Sequence, residues 1–383
     1  MPAKSVTASL EGAVVALEPR ATIAPRDVPV ARFDNVNLLR ALAALLVVVY
    51  HVIEHSGWSA FPTEGALSTF RIGWLGVDLF FVVSGFVIAY SALTLYQKDP
   101  GHFQRKYWAR RLTRILPLYL LTLFAWILLC WPGFFSMPVT EWGWHLGTHL
   151  LFLHSLWPAT FGSIDGANWS LALEMHFYLG VALLVPWIAR TPGWRILAYG
   201  VAIAWAWRAC MLTRYGYYDQ SFLFTRTSQV PGVLDEFCVG IFLAKLVIER
   251  PRAGRAGWVP WVVGAAVIGI PTMHVFWRHA GYWMFPAMVV FWRTALAISL
   301  LCVIAAAVRL PQVASWPGMR ALNGLGEISY GIYLWHLFAI ELVIHKLQLA
   351  QGTALFFVLA LTAILAAASW KYLEKPMMAL ARR

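Results

Sequence analysis

Charge is what this chain has least of: 13% of its residues are Asp, Glu, Lys or Arg, where an ordinary soluble domain carries about 25%. With a 60% hydrophobic composition beside it, this scarcity argues against a water-soluble globular protein. Acidic residues are fewer than basic ones, 18 against 30. Cysteine is rare as well. Cys130, Cys210, Cys238 and Cys302 fall in or beside apolar stretches with no close pair and no metal-type spacing, so they read as buried thiols rather than a disulfide framework or a zinc cluster. His145, His149, His154 and His176 lack the His-Glu-x-x-His spacing of a helical metal pair and read as interfacial, so no metal is expected. Residues 1–31 have no long apolar core followed by a small-residue cleavage site, which excludes a secretory signal peptide. No short-period internal repeat is present.

What the chain does have is apolar length. Its 383 residues have a mean hydropathy of +0.65, and stretches near 37–56, 72–95, 112–131, 170–188, 196–213, 232–248, 258–275, 286–307, 324–346 and 353–373 are each close to the roughly 20 residues that cross a bilayer as a helix. The expected fold class is all-α, a polytopic membrane bundle of about ten transmembrane helices with both termini cytoplasmic. The 21 Trp and 14 Tyr suit aromatic belts at the two interfaces. In that orientation most Lys and Arg fall inside, leaving Arg71, Arg208, Arg214, Arg226, Arg278, Arg293 and Lys346 outside or near the outer face. The net charge of +12 then needs no nucleic-acid partner. Residues 1–31 are expected to be a flexible cytoplasmic tail, 32–377 the transmembrane domain and 378–383 a short cytoplasmic tail. The stretch 131–169, dense in Trp, His and Phe, suits an amphipathic helix in the outer interface or part of an acceptor site.

Ionisable groups inside apolar spans are costly unless paired, hydrated or used. The first span carries Arg40 and His51, whose eleven-residue separation corresponds to about 16 Å of helix. Arg40 is therefore expected near the cytoplasmic face and His51 in the outer half of the hydrocarbon. Helical rise puts Asp78 roughly 9 Å and Glu174 roughly 7 Å below the outer face. Tyr333 and His336 come about 14 to 18 Å up from the inner one. The shared depth suggests one site, although a polar network that merely joins helices would look the same in sequence. The basic run Arg105, Lys106, Arg110, Arg111 and Arg114 ends at the mouth of an apolar helix, where guanidinium groups suit phosphates. Topogenic charge meeting anionic headgroups is the plainer reading. Ser84, in VVSGF, is a tempting nucleophile better explained by close helix packing.

Taken in order, Arg40 with His51, GVDLFFVVSGFVI at 76–88, RRLTRILP at 110–117, NWSLALEMHFY at 168–178, ISYGIYLWH at 328–336 and YLEKP at 372–376 resemble the acyltransferase 3 family of integral-membrane O-acyltransferases. LDEFCVGIFLA at 234–244 also fits, but the basic residue often found just before the aspartate is missing, which leaves a role for Asp235 open. Many relatives carry an extracytoplasmic hydrolase-like domain after the last span, and this chain, ending at Arg383, resembles the stand-alone form.

The resemblance implies transfer of an acyl group, most often acetyl, from cytoplasmic acyl-CoA to a hydroxyl of a surface polysaccharide or glycolipid, in the inner membrane of a bacterium. It implies acyl-CoA as a co-substrate and no tightly bound cofactor. On this expectation Arg40, Arg110, Arg111 and Arg114 hold the CoA phosphates, and His51 is general base or transient acyl carrier. Glu174 or Asp78 would orient its imidazole, and Trp169, Tyr330, Tyr333 and His336 would meet the acceptor. The competing reading is a transporter or flippase using the same buried charges as a relay. Against it, there are no matching interrupted spans in two halves.

Overall fold

In hydrocarbon a chain has no water with which to satisfy its amides, so long apolar runs close their hydrogen bonds within themselves as helices. The computed structural model describes residues 33–216, 219–249, 257–279, 281–311 and 317–381. The expected tail at 1–31 and the last two residues of the expected C-terminal tail lie outside these. Fourteen α-helices follow in order. The first seven are α1 (Asp34–His55), α2 (Leu75–Lys98), α3 (Phe103–Ala125), α4 (Val139–Leu150), α5 (Trp169–Arg190), α6 (Gly193–Tyr215) and α7 (Gln220–Thr227). The rest are α8 (Leu234–Glu249), α9 (Val259–Arg278), α10 (Arg293–Arg309), α11 (Pro317–Glu327), α12 (Ser329–Ile340), α13 (Gln351–Ser369) and α14 (Lys375–Leu380). No strand occurs among the described residues.

Among the described residues eight helices are long and apolar enough to cross a membrane, or nine if the bent pair Gly318–Glu327 and Ser329–Lys346, at 75°, is one span. The segment expected as a span at 232–248 is not among them. The helix there, α8, has 16 residues and a length of about 24 Å, short of a hydrocarbon core of roughly 30 Å. The helix α3 starts at Phe103, so the basic run forms its first turns and leads directly into the apolar span.

Short as it is, α8 lies at the centre, packed on α2, α6 and α10. Glycine permits this approach: a Cβ on Gly85 of α2 would sit 2.4 Å from the carbonyl oxygen of Phe237 in α8, so a side chain there would force the helices apart. Gly76 does the same for α1, since its Cβ would lie 2.4 Å from the oxygen of Ala43. Through these contacts α2 is held between α1 and α8. The turns carrying Asp78 and His51 thereby come to border a common space.

Candidate active site

Two cavities lie along the inside of the bundle. The wide one, about 890 Å³, is bordered by His51 and Tyr50 of α1, Asp78 of α2, Trp169 of α5 and the loop ahead of it, α7, Arg293 and Tyr333. The narrow one, about 60 Å³, is bordered by Arg40, Ser84, Ser170, Glu174, Ser329 and Tyr330. Val77 and Tyr333 line both. Tyr333 is fixed there by its hydroxyl, which donates to the carbonyl of Ala167 at 3.0 Å and shares a hydrogen bond of 2.7 Å with Ser170 Oγ. His51, Asp78, Glu174, Trp169, Tyr330 and Tyr333 each border one cavity or the other.

The neighbours of His51 differ from those expected. Its Nδ1 lies 3.0 Å from the carbonyl of Val47 and 3.2 Å from Nε2 of His336, while Nδ1 of His336 lies 2.5 Å from the carbonyl of Tyr333. Carbonyls only accept, so in the neutral rings both Nδ1 atoms carry the proton. His336 Nε2 is then an acceptor for His51 Nδ1–H, and the lone pair left on His51 is that of Nε2. This corrects two expectations. No carboxylate orients the imidazole; a second histidine does. His336, expected at the acceptor, is fully buried behind His51 and borders neither cavity.

The carboxylates have other partners. Glu174 Oε1 accepts from Ser84 Oγ at 2.7 Å and from the hydroxyl of Tyr178 at 2.6 Å, so Ser84 is a hydrogen-bond donor to a buried acid as well as a packing residue. Asp78 Oδ1 is bound by Nε of Arg293 at 2.9 Å. Behind that pair Arg208 binds Asp235 at 2.7 Å, and Glu236 lies 3.4 Å from Arg293 and 3.9 Å from Arg208. Arg208, Asp235 and Glu236 are 0% exposed. Five charges from α2, α6, α8 and α10 are thus joined in the core. Arg208 and Arg293, expected outside or near the outer face, are buried within the bundle, where three buried acids require cations beside them. The signal was present, because both arginines interrupt apolar runs, AWAWRACML and VVFWRTALA.

At the other end of the narrow cavity the arginines do not form one shared grip. Arg114 pairs with Glu374 at 2.8 Å, donates to the carbonyl of Glu327 at 3.2 Å and lies over Trp370 and Tyr330. Arg111 donates to Ser91 Oγ at 3.1 Å and lies against Tyr107 and Tyr178. Arg110 is exposed. Glu374, which the sequence reading left without a role, is fully buried and takes the cation of Arg114 for that reason. Among the described residues Arg40 has no hydrogen-bond or ion-pair partner, although Arg114, Glu174, Arg111 and Glu374 are its charged neighbours. His149 and His154 stack with ring centres 4.0 Å apart. Among the described residues no group of three or more His, Cys, Asp or Glu is placed to hold a metal ion.

This arrangement provides a free guanidinium at one end, a free imidazole nitrogen at the other and a tyrosine between them. Comparison with known proteins gives the family. A family profile described as an acyltransferase domain matches residues 33–373. The chain is 29% identical to ORF330 of Acidianus two-tailed virus, provisionally named an acetyltransferase, over 80% of this chain and 82% of that one. It is 26% identical to BcsY of Komagataeibacter xylinus, provisionally named a membrane-bound transacylase, over 91% and 83%. It is also 24% identical to the peptidoglycan O-acetyltransferase OatA of Listeria monocytogenes, over 89% of this chain but 55% of that one, so it spans about half the length of the Listeria protein. No solved structure matches. With a profile covering almost every described residue, and with apolar helices long enough to cross a bilayer, the chain belongs to the acyltransferase 3 family of integral-membrane O-acyltransferases.

Proposed function

We propose that this protein transfers an acyl group, acetyl by default, from cytoplasmic acyl-CoA to a hydroxyl of a surface polysaccharide or glycolipid, in the inner membrane of a bacterium with both termini cytoplasmic. The observation that carries this reading is the order of groups along the bundle. Arg40 borders the narrow cavity, His51 the wide one, and Tyr333 both. A CoA ester is a polyanion joined by a thin, flexible arm to a small reactive group. Arg40, Arg110 and Arg111 form the basic end that meets its phosphates, with Arg114 beside them held by Glu374. The narrow cavity suits the arm, and the thioester arrives beside His51.

In the wide cavity His51 uses Nε2, because Nδ1 is committed to Val47 and His336. As general base it takes the proton of the acceptor hydroxyl, the oxygen attacks the thioester carbon, the C–S bond breaks, and the proton passes to the departing thiolate. As acyl carrier the same atom attacks the thioester carbon, the C–S bond breaks and CoA leaves as thiolate; in a second step the acceptor oxygen takes the acyl group from the nitrogen, and the hydroxyl proton goes to the thiolate. In both routes His336 positions the ring and helps bear the charge that develops on it. Asp78 and Glu174 contribute the field around the path. Trp169, Tyr330 and Tyr333 form its walls.

The deciding experiment is transfer of radiolabel from acetyl-CoA to extracted surface glycans and lipids, with wild type and the His51→Ala variant in liposomes. Label that depends on His51 supports the reading and identifies the acceptor pool. Equal labelling by the variant removes His51 from the chemistry. Absence of both label and CoA binding in the wild type favours the transporter instead.

A further inference from the structure

The wide cavity has an unexpected lining for a chain so rich in aliphatic residues. Among the described residues that border it there is no Leu, Ile or Met, and Val77 is its one branched aliphatic side chain. Aromatic rings and short polar groups take their place. A site for an acyl tail or a sterol gains from aliphatic walls. A pyranose ring has other needs: its C–H face lies well on an aromatic ring, and its edge carries hydroxyls that lose hydrogen bonds to water unless they are given new ones.

Such a surface is present. Trp169 and Phe161 stack with ring centres 5.2 Å apart and planes at 17°, and Phe224 meets both edge-on, at 5.3 and 5.8 Å. Phe224 belongs to α7, whose start is capped by Asp219 accepting from the amide of Phe222 at 2.8 Å. Gln220, Ser221, Phe224 and Thr225 all border the cavity, a spacing that puts them on one face of the helix. Leu223 is buried and anchors the opposite side. The Thr225 hydroxyl is spent on the carbonyl of Ser221 at 3.0 Å. The side chains of Gln220 and Ser221 are exposed and, among the described residues, make no hydrogen bond within the protein. The geometry therefore offers a stacking edge and two free polar groups on a rigid element that the donor path does not touch.

We infer that α7 determines acceptor specificity: Phe224 completes a stacking surface for a pyranose ring, and Gln220 and Ser221 hydrogen-bond the hydroxyls at its edge. The inference rests on the transfer reading given above. It predicts selection for ring saccharides over acyclic alcohols. Full-length protein in liposomes, supplied with acetyl-CoA, is offered chitotriose or glycerol, and the Gln220→Ala and Phe224→Leu variants are compared with wild type. The expected result is preferential acetylation of the trisaccharide, with its KM raised about tenfold in each variant, the scale of one lost hydrogen bond or stacking face. The KM for acetyl-CoA and the slow rate with glycerol stay unchanged. Three results would overturn it: an unchanged trisaccharide KM, a parallel fall with glycerol, or a wild type that binds acetyl-CoA and does not prefer the trisaccharide. A wild type that does not bind acetyl-CoA refutes the transfer reading beneath it.

Discussion

Asp165 sits in the loop between α4 and α5, outside the membrane-spanning helices and almost wholly buried. Burial is the main influence on its carboxyl group, with one opposing hydrogen bond from the amide of Ala167, and it raises the pKa from an ordinary 3.8 to about 7. A carboxyl raised in the folded state favours folding while protonated. Its contribution is complete below about pH 4 and is lost as the pH rises through about 7. A shift of roughly three units, at about 1.4 kcal/mol each, gives about 4 kcal/mol between the two limits. The Asp165→Asn variant keeps an oxygen for the Ala167 amide and cannot ionise. Against wild type it should be nearly equal in stability near pH 4 and more stable by up to about 4 kcal/mol near pH 8. Thermal unfolding in nanodiscs, followed by tryptophan fluorescence, would measure the difference, because every other titrating group cancels between the two proteins. Stability curves that run parallel from pH 4 to 8 would refute the burial argument. Because Gly162, Ser163, Gly166 and Ala167 of the same loop line the wide cavity, acceptor KM should rise across the same pH window in wild type only.

The arginines of the basic end should separate by what they already touch. Arg114→Gln leaves Glu374 buried without its cation and should cost about 3 to 5 kcal/mol of stability, whereas Arg40→Gln breaks no pair and should lower acyl-CoA affinity about tenfold with little change in melting temperature. Isothermal binding and melting curves on both variants test this, and the reverse assignment would sink it. His336→Ala removes the acceptor for His51 Nδ1–H and frees the ring to turn. Turnover should fall by about 10- to 100-fold at unchanged acyl-CoA affinity, and a pH–rate profile identical to that of wild type would show that His336 does not position the base.

How much of this could be read from the sequence follows from what helices fix and what they leave free. Rise per residue is constant, so the placement of Arg40 and His51 toward opposite ends of α1 was legible from spacing alone. Which helices touch was not. His51 faces His336 rather than a carboxylate because α1 packs on α12, a contact that no spacing encodes. Arg208 and Arg293 fall inside the expected spans 196–213 and 286–307, yet helical depth alone, which places them outside or near the outer face, says nothing of the acids they meet. Their apolar flanks were the contrary signal, since an arginine bordered by Trp, Ala and Val on both sides is better placed inside with a partner. The apolar residues of α8 suffice in number for a span, and its two acids, Asp235 and Glu236, are buried in the core at its start. Glu374 was visible only as part of a motif, without its partner Arg114.

The bundle's charges divide into those already neutralised and those left open, and this division bears on function more directly than burial does. Arg208, Arg293, Asp78, Asp235 and Glu236 form ion pairs with one another, and Arg114 pairs with Glu374. Breaking any of these would leave a charge stranded in a medium that cannot solvate it, so they hold α2, α6, α8 and α10 in register whether or not substrate is present. Arg40 and the Nε2 atom of His51 are different. One has no partner among the described residues, and the other is the nitrogen left free once its ring has been fixed. An unmatched guanidinium beside an apolar path is stable only if water or an anion comes to it, and a fixed imidazole with a free lone pair at a cavity wall is poised to accept a proton or an acyl group. The anionic acyl carrier proposed above would satisfy both, meeting Arg40 at one cavity and His51 at the other, with Val77 and Tyr333 lining both.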